Sequence, residues 1–184
     1  SEPGMFLSEH RRCKDPIIAF CNDLVYQGQL KALAGSHGNG ITPMMGYCHI
    51  THSSTIRGGS RSNEGEAQTI AYWLQTMRPA LEKKYQKKIG EIVGIISPYR
   101  AQALAIGQAL NEAGLDATSD NRISVGTVHT FQGAERPIVI FSPAVSYNTN
   151  ESRRIFFDIE PNMLNVAVSR AKDSFLVFGD MRVF

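Results

Sequence analysis

The sequence predicts an α/β protein with a mostly parallel sheet and helices on both faces. Three observations carry that reading. Short, wholly apolar runs, at 92–96, 138–141 and 175–178, have the composition of strands buried on both sides. Longer segments with apolar residues at helical intervals lie between them. The two kinds of segment alternate along the chain, as in sheets whose parallel strands are joined by crossover helices.

Taken in order, Pro16, Ile17, Ile18, Phe20, Leu24 and Val25 predict a short helix that ends near Gln27–Gly28, with Pro16 early enough that its missing N–H costs nothing. Gly35, Gly38 and Gly40 mark a loop, and a strand is expected over Met44–Thr51. A second loop, 58–63, leads to Asn63 and Glu66, three residues apart, the spacing of a helix N-terminus. That helix is expected from Glu64 to about Gln86, bent or broken at Pro79. Its basic end, Lys83, Lys84, Lys87 and Lys88, reads as a solvated last turn that suits the helix dipole. A strand then runs to Ile96 and turns at Ser97–Pro98–Tyr99, before a helix that stops at Gly114. Strands at 123–126, 138–141 and 175–178 follow, the last preceded by an irregular stretch and a helix from Asn162 to about Ala171. Ligands of such sheets gather at the carboxyl ends of the strands, which points to Ser97–Tyr99, Thr127–Glu135 and Gly179–Asp180.

Composition sets the outer bounds. With 184 residues, 42% hydrophobic and 20% charged, the chain has the make-up of one folded domain, not of a disordered tail. A net charge of +2 is too small for a broad electrostatic footprint on nucleic acid. Three cysteines without a Cys-x-x-Cys suit a reducing compartment, and no apolar run approaches the ~20 residues that span a bilayer, so a cytoplasmic location is expected. A zinc site built from His10, Cys13, Cys48, His49 and His52 is disfavoured, because His49 and His52 would face opposite sides of one strand. No Gly-x4-Gly-Lys-Ser/Thr occurs, nor an apolar strand ending in Asp-Glu, so this chain by itself is expected not to hydrolyse ATP. A motor of two nucleotide-handling lobes needs at least about 300 residues.

Five segments, in this order, nevertheless form a specific pattern: Glu9-His10-Arg11-Arg12-Cys13, Gly59-Ser60-Arg61-Ser62-Asn63 with Glu66-Ala67, Ser97-Pro98-Tyr99-Arg100-Ala101-Gln102, Gly126 to Glu135, and Leu164-Asn165-Val166-Ala167-Val168-Ser169-Arg170-Ala171. Together they resemble the second RecA-like domain of superfamily 1 helicases, in the branch that holds the nonsense-mediated-decay helicase and bacterial DNA helicases. The resemblance runs from Glu9 to Gly179. It implies a RecA-like three-layer sandwich comprising residues 1–184, and a separate first lobe that holds most of the ATP and Mg²⁺.

The resemblance also implies roles. Arg170 reaches the γ-phosphate across the cleft, a task suited to a guanidinium because it is always charged and offers a planar fork. Arg12 is a second candidate for that phosphate; Arg11 stands where an aromatic is usual, which leaves the choice between the two open. Gln132, Gly133 and Glu135 lie near the nucleotide, with Glu135 accepting from the ribose. Ser97 and Tyr99 hold a phosphate or stack on a base of single-stranded nucleic acid, DNA favoured over RNA, and Thr127 and His129 couple that track to nucleotide state. Each residue also has a plain structural reading: a surface arginine at a helix end for Arg170, a salt bridge for Arg12, a turn for Gly133–Glu135, an internal hydrogen bond for His129. For Asn63, a helix cap is favoured over ligand contact. The rival function is a non-catalytic RecA-like module that binds nucleic acid or protein.

Overall fold

A computed structural model of the chain describes residues 9–14, 31–34, 39–115, 121–131, 134–147 and 161–183. The helix expected over 16–27 lies outside them, as do Gln132, Gly133 and most of the irregular stretch. Five strands, β3 (Met45–His49), β6 (Val93–Ile96), β7 (Ser124–Gly126), β8 (Arg136–Phe141) and β9 (Ala171–Gly179), form one sheet in the order β3-β9-β8-β6-β7. Every pair in it is parallel. Two further strands, β1 (Glu9–Lys14) and β2 (Lys31–Ala34), pair in parallel with each other, and β1 runs beside β9. A small antiparallel hairpin, β4 (Thr55–Arg57) and β5 (Ser60–Ser62), precedes the first long helix. Its turn is Gly58–Gly59, both at positive φ (56° and 78°), the conformation a tight hairpin turn demands.

Period-two alternation builds three layers from these strands. Val93 and Ile95, Ile138 and Ile140, Leu176 and Phe178 face one core, under α1 (Glu64–Tyr85) and α3 (Arg100–Glu112). Their neighbours Ile96, Val139, Phe141 and Phe175 face a second core with Ala167 and Val168 of α4 (Pro161–Ser169). Each such side chain, fully withdrawn from water, contributes ~1.5–3 kcal/mol before chain entropy is counted. Phe141 and Phe175 also stack, with centroids 6.1 Å apart.

Local signals place the elements. Asn63 caps α1, its Oδ1 accepting the Glu66 N–H at 3.1 Å, and Gln86 closes the helix in the left-handed conformation. Pro79 neither ends nor divides α1, contrary to expectation: it sits on the exposed side while Leu74 and Leu81 are fully buried to either side of it. A single turn, α2 (Ile89–Ile92), leads into β6. The first turn of α3 has no cap from Tyr99; instead the hairpin supplies one, Ser60 Oγ accepting the Ala101 N–H at 3.2 Å. Gly94 leaves room for Phe131, whose Cζ would stand 2.6 Å from a Cβ there, so the Thr127–Phe131 turn rests directly on the sheet.

Between β8 and α4 the described chain continues as a buried strap, Ser142–Ser146, ending at the half-exposed Tyr147. Ala144 adopts φ 52°, which an L-residue adopts at a cost of ~1–2 kcal/mol. Glycine carries no such cost but loses ~0.5–1 kcal/mol more chain entropy. Ala144→Gly is therefore expected to leave stability equal or raise it by up to ~1 kcal/mol in a urea melt; a clear loss would show that the Ala144 methyl packs better than its backbone suffers.

Candidate functional site

The candidate residues fall at opposite ends of the sheet. At the amino ends of β8 and β9 stand Glu135 and Arg170, brought together by the Arg136 N–H donated to the Arg170 carbonyl at 3.0 Å. Arg170 lies in the turn between α4 and β9, and its own N–H bonds the Ala167 carbonyl at 3.2 Å. Its Nε is enclosed and has no hydrogen-bond partner among the described residues, and neither has Asn165 Oδ1 on α4. Buried donors without partners are uncommon and call for a ligand or a further chain segment. Arg136, by contrast, is committed to structure: its guanidinium donates to the carbonyls of Gly90 and Glu135 and to Ser124 Oγ. Glu135 Oε2 meets Lys172 Nζ at 3.2 Å. That lysine is half exposed, so the pair is worth at most ~1 kcal/mol, and a ligand hydroxyl can displace it.

Ala171 belongs to β9 and not to the helix, since α4 ends at Ser169. In this segment Ala167, Val168 and Ala171 are fully buried, whereas Leu164, Asn165 and Arg170 are only partly so. Arg12 and Arg11 lie on β1, so the Glu9–Cys13 segment is itself a strand. The carboxyl-end rule therefore locates half of the candidate set: Glu135, expected there, is at the other edge.

At the carboxyl ends of β6 and β7 are Ser97, Tyr99 and Thr127. Ser97 is wholly buried, its N–H bonding the Gly126 carbonyl at 3.0 Å and its Oγ accepting the Tyr99 N–H at 3.2 Å. Ser97 thus shapes the turn from inside it. Tyr99 is half buried beside Arg61; burial pushes its phenol pKa up, and the nearby guanidinium opposes the rise. Thr127 opens a tight turn, its carbonyl accepting the N–H groups of Thr130 (3.0 Å) and Phe131 (3.2 Å), and the exposed His129 rides on that turn. A groove of about 1230 Å³ runs beside the turn and along β7, the last strand of the described sheet, facing α3, with Arg100, Arg122, Thr127 and Thr130 among its walls.

The third expected focus, Gly179–Asp180, is a latch. Asp180 is buried and accepts from the Tyr147 N–H (2.9 Å) and from Arg182 Nε (2.8 Å) and Nη2 (2.7 Å). The Arg182 bonds hold its pKa down at about 2. The same guanidinium lies 5.2 Å from the centre of the Tyr147 ring, so one cation secures both the carboxylate and the end of the strap. The bond network around Glu66, Gln102 and Ser142 was not foreseen. Glu66 was legible as a partner of the Asn63 cap and as part of a family-like segment, and its side chain reaches the strap.

A parallel five-stranded sheet in three layers, with helices on both faces, is the architecture of a RecA-like domain. Residues 1–182 match the family described as an AAA domain, and the chain belongs to it, as a superfamily 1 helicase domain. Among curated proteins it is similar to the DNA polymerase alpha-associated DNA helicase A of Schizosaccharomyces pombe, 34% identical over 122 residues, covering 66% of this chain and 16% of that protein. It is also similar to a regulator of nonsense transcripts 1 homolog of Drosophila melanogaster, 35% identical over 94 residues, 50% of this chain and 8% of that protein. The chain thus spans a minor part of these relatives. A solved structure with the same fold is the C-terminal domain of a possible DNA helicase from Lactobacillus plantarum WCFS1, with TM-score 0.51, 18% identity, and coverage of 92% of this chain and 86% of that one. No helix among the described residues is long and apolar enough to cross a membrane.

Proposed function

We propose that this chain is the second motor lobe of an ATP-dependent helicase or translocase, completing a nucleotide site whose other half lies on a first RecA-like lobe. The observation that supports it most is Arg170: a guanidinium whose enclosed Nε has no partner among the described residues, on a backbone pinned between α4 and β9, at the same edge as Glu135. That donor set fits a polyphosphate with a ribose. ATP and Mg²⁺, when bound, supply the phosphoanhydride to be broken and the cation that shields its charge. The chain's own part is to present Arg170, with Arg12 of β1, toward the γ-phosphate, and Gln132, Gly133 and Glu135 toward the rest of the nucleotide. Planar, permanently charged forks suit that work better than an ammonium.

At the carboxyl ends of β6 and β7, Tyr99, Thr127 and His129, on turns shaped by Ser97, take one strand of nucleic acid mainly through phosphate and sugar, with Arg100 and the groove that runs back along β7 to Arg122 beside them. DNA is favoured over RNA, with the comparison built into the test. Placing nucleotide and strand at opposite ends of one rigid sheet lets closure of the lobes on ATP move the strand grip. The test is ATP turnover by the full-length protein with single-stranded DNA and RNA in parallel, beside the isolated 184-residue chain. Stimulation of the full-length protein by a strand, and background turnover by the isolated chain, are expected. A full-length protein without turnover would favour the non-catalytic module, and turnover by the isolated chain would sink the two-lobe site.

A further inference from the structure

The crevice between the carboxyl ends of β6 and β8 is where adjacent strands send their connections in opposite directions, β6 outward to β7 and β8 back to β9. It is filled by four polar side chains with no exposed surface: Asn63, Glu66, Gln102 and Ser142. Gln102 Oε1 accepts the Asn63 N–H at 2.7 Å, and its Nε2 donates to the Asn63 carbonyl at 3.1 Å and to Ser142 Oγ at 2.9 Å. With its lone pair engaged by the amide, the Ser142 hydroxyl donates to Glu66 Oε2 at 2.6 Å. The same oxygen accepts the N–H of Ala144 at 2.9 Å, the strap residue held at positive φ. Glu66 Oε1 is enclosed without a hydrogen-bond partner among the described residues.

A buried carboxyl is a poor way to stabilise a core, since a well-packed apolar side chain does as well or better. What this one provides is connection. Through Ser142 it reaches Gln102 in the first turn of α3, three residues after Tyr99; directly it holds the strap. We infer that Glu66 is a positioning residue, tying the Ser142–Tyr147 strap to the start of α3 and so fixing the Tyr99 face presented to single-stranded nucleic acid. This rests on the strand-grip reading given above. Burial, opposed by the bonds from Ser142 and Ala144, pushes the Glu66 pKa up to about 8, so near neutrality the carboxyl is largely protonated and an amide is its close mimic.

The experiment has two arms, with Glu66→Ala, Glu66→Gln and Ser142→Ala in each; the serine variant breaks the relay with the smaller loss of packing. In the 184-residue chain, hydrogen exchange of residues 142–147 is expected to quicken about ten-fold or more in the two alanine variants, with β6 amides unchanged and Glu66→Gln close to the parent. In the full-length protein, the strand concentration for half-maximal ATPase stimulation is expected to rise about ten-fold in the alanine variants, with the saturated rate within about two-fold and the Gln variant restored. Unchanged strap exchange overturns the tie. A fall in saturated rate at constant half-maximal concentration shows a merely structural role and overturns the link to the strand. Tyr99→Ala runs alongside: if it too leaves the half-maximal concentration unchanged, the strand-grip reading has failed and the inference falls with it; if Tyr99→Ala raises it and Glu66→Ala does not, the inference alone has failed.

Discussion

Arg170→Ala in the full-length protein is expected to lower ATP turnover by on the order of 10³-fold or more while nucleotide affinity changes little. The split follows from where the residue acts. A guanidinium supplied from a second lobe meets the γ-phosphate as charge develops during transfer, so its loss falls on the rate, whereas affinity is set mainly by the lobe that cradles the phosphates. The fold should survive, because the Arg170 backbone is fixed by its own bonds to Ala167 and Arg136 and by the buried Ala167, Val168 and Ala171 around it. Arg170→Lys is expected to recover only part of the rate, since an ammonium keeps the charge but not the planar fork. Lys172→Ala, two residues on, makes a useful control: it removes only the solvent-exposed partner of Glu135. The measurements are single-turnover hydrolysis and equilibrium binding of a fluorescent nucleotide; ordinary turnover in Arg170→Ala would remove this residue from the chemistry.

The sheet was legible because its strands announce themselves. Runs such as Ile92–Ile96 and Ile138–Phe141 admit few structures other than a strand buried on both faces, and their bounds shifted by only one or two residues. The Asn63 cap and the stop at Gly114 were legible for the same reason, since each is a local bargain between one side chain or one backbone angle and its neighbours. What could not be read depends on pairing across the chain. Hairpin β4–β5 has a loop's composition, and its Ser60 caps α3 from 41 residues away, a pairing that local sequence does not show. The Pro79 break was overruled by Leu74 and Leu81 packing on the sheet. The burial of Ser97, whose Oγ accepts the Tyr99 N–H within its own turn, likewise depends on what packs over the strand end. The two-edged layout of the site was hidden for a similar reason: the segment from Gly126 to Arg136 starts at the carboxyl end of β7 and finishes at the amino end of β8, and sequence order does not show which edge a residue reaches.

The buried carboxyls give the second large effect, on stability against pH. Glu66 has an ordinary value of 4.5 and a folded value of about 8, raised first by burial and slightly by Asp180, and lowered by its bonds to Ser142 and Ala144. Between those two values the unfolded chain has released the proton and the folded chain keeps it. Unfolding then sheds a proton, and stability must decline as pH rises across that window, levelling once the folded group also ionises. A shift of this size corresponds to a few kcal/mol, a large share of the margin of a small domain. Asp180 acts in the opposite sense and elsewhere: with an ordinary value of 3.8 and a folded value of about 2, its contribution is present above 3.8 and is lost as pH falls through 2. Its charge, already balanced by Arg182, is constant over the range in which Glu66 titrates. Urea melts of the 184-residue chain from pH 5 to pH 9 should therefore show a fall toward pH 8 that Glu66→Gln removes, because the amide has no proton to lose. The variant should be level with the parent near pH 5 and more stable at pH 9. An identical slope in both proteins would mean that the Glu66 carboxylate is already ionised at pH 5, held by the Ser142 and Ala144 bonds against the cost of burial.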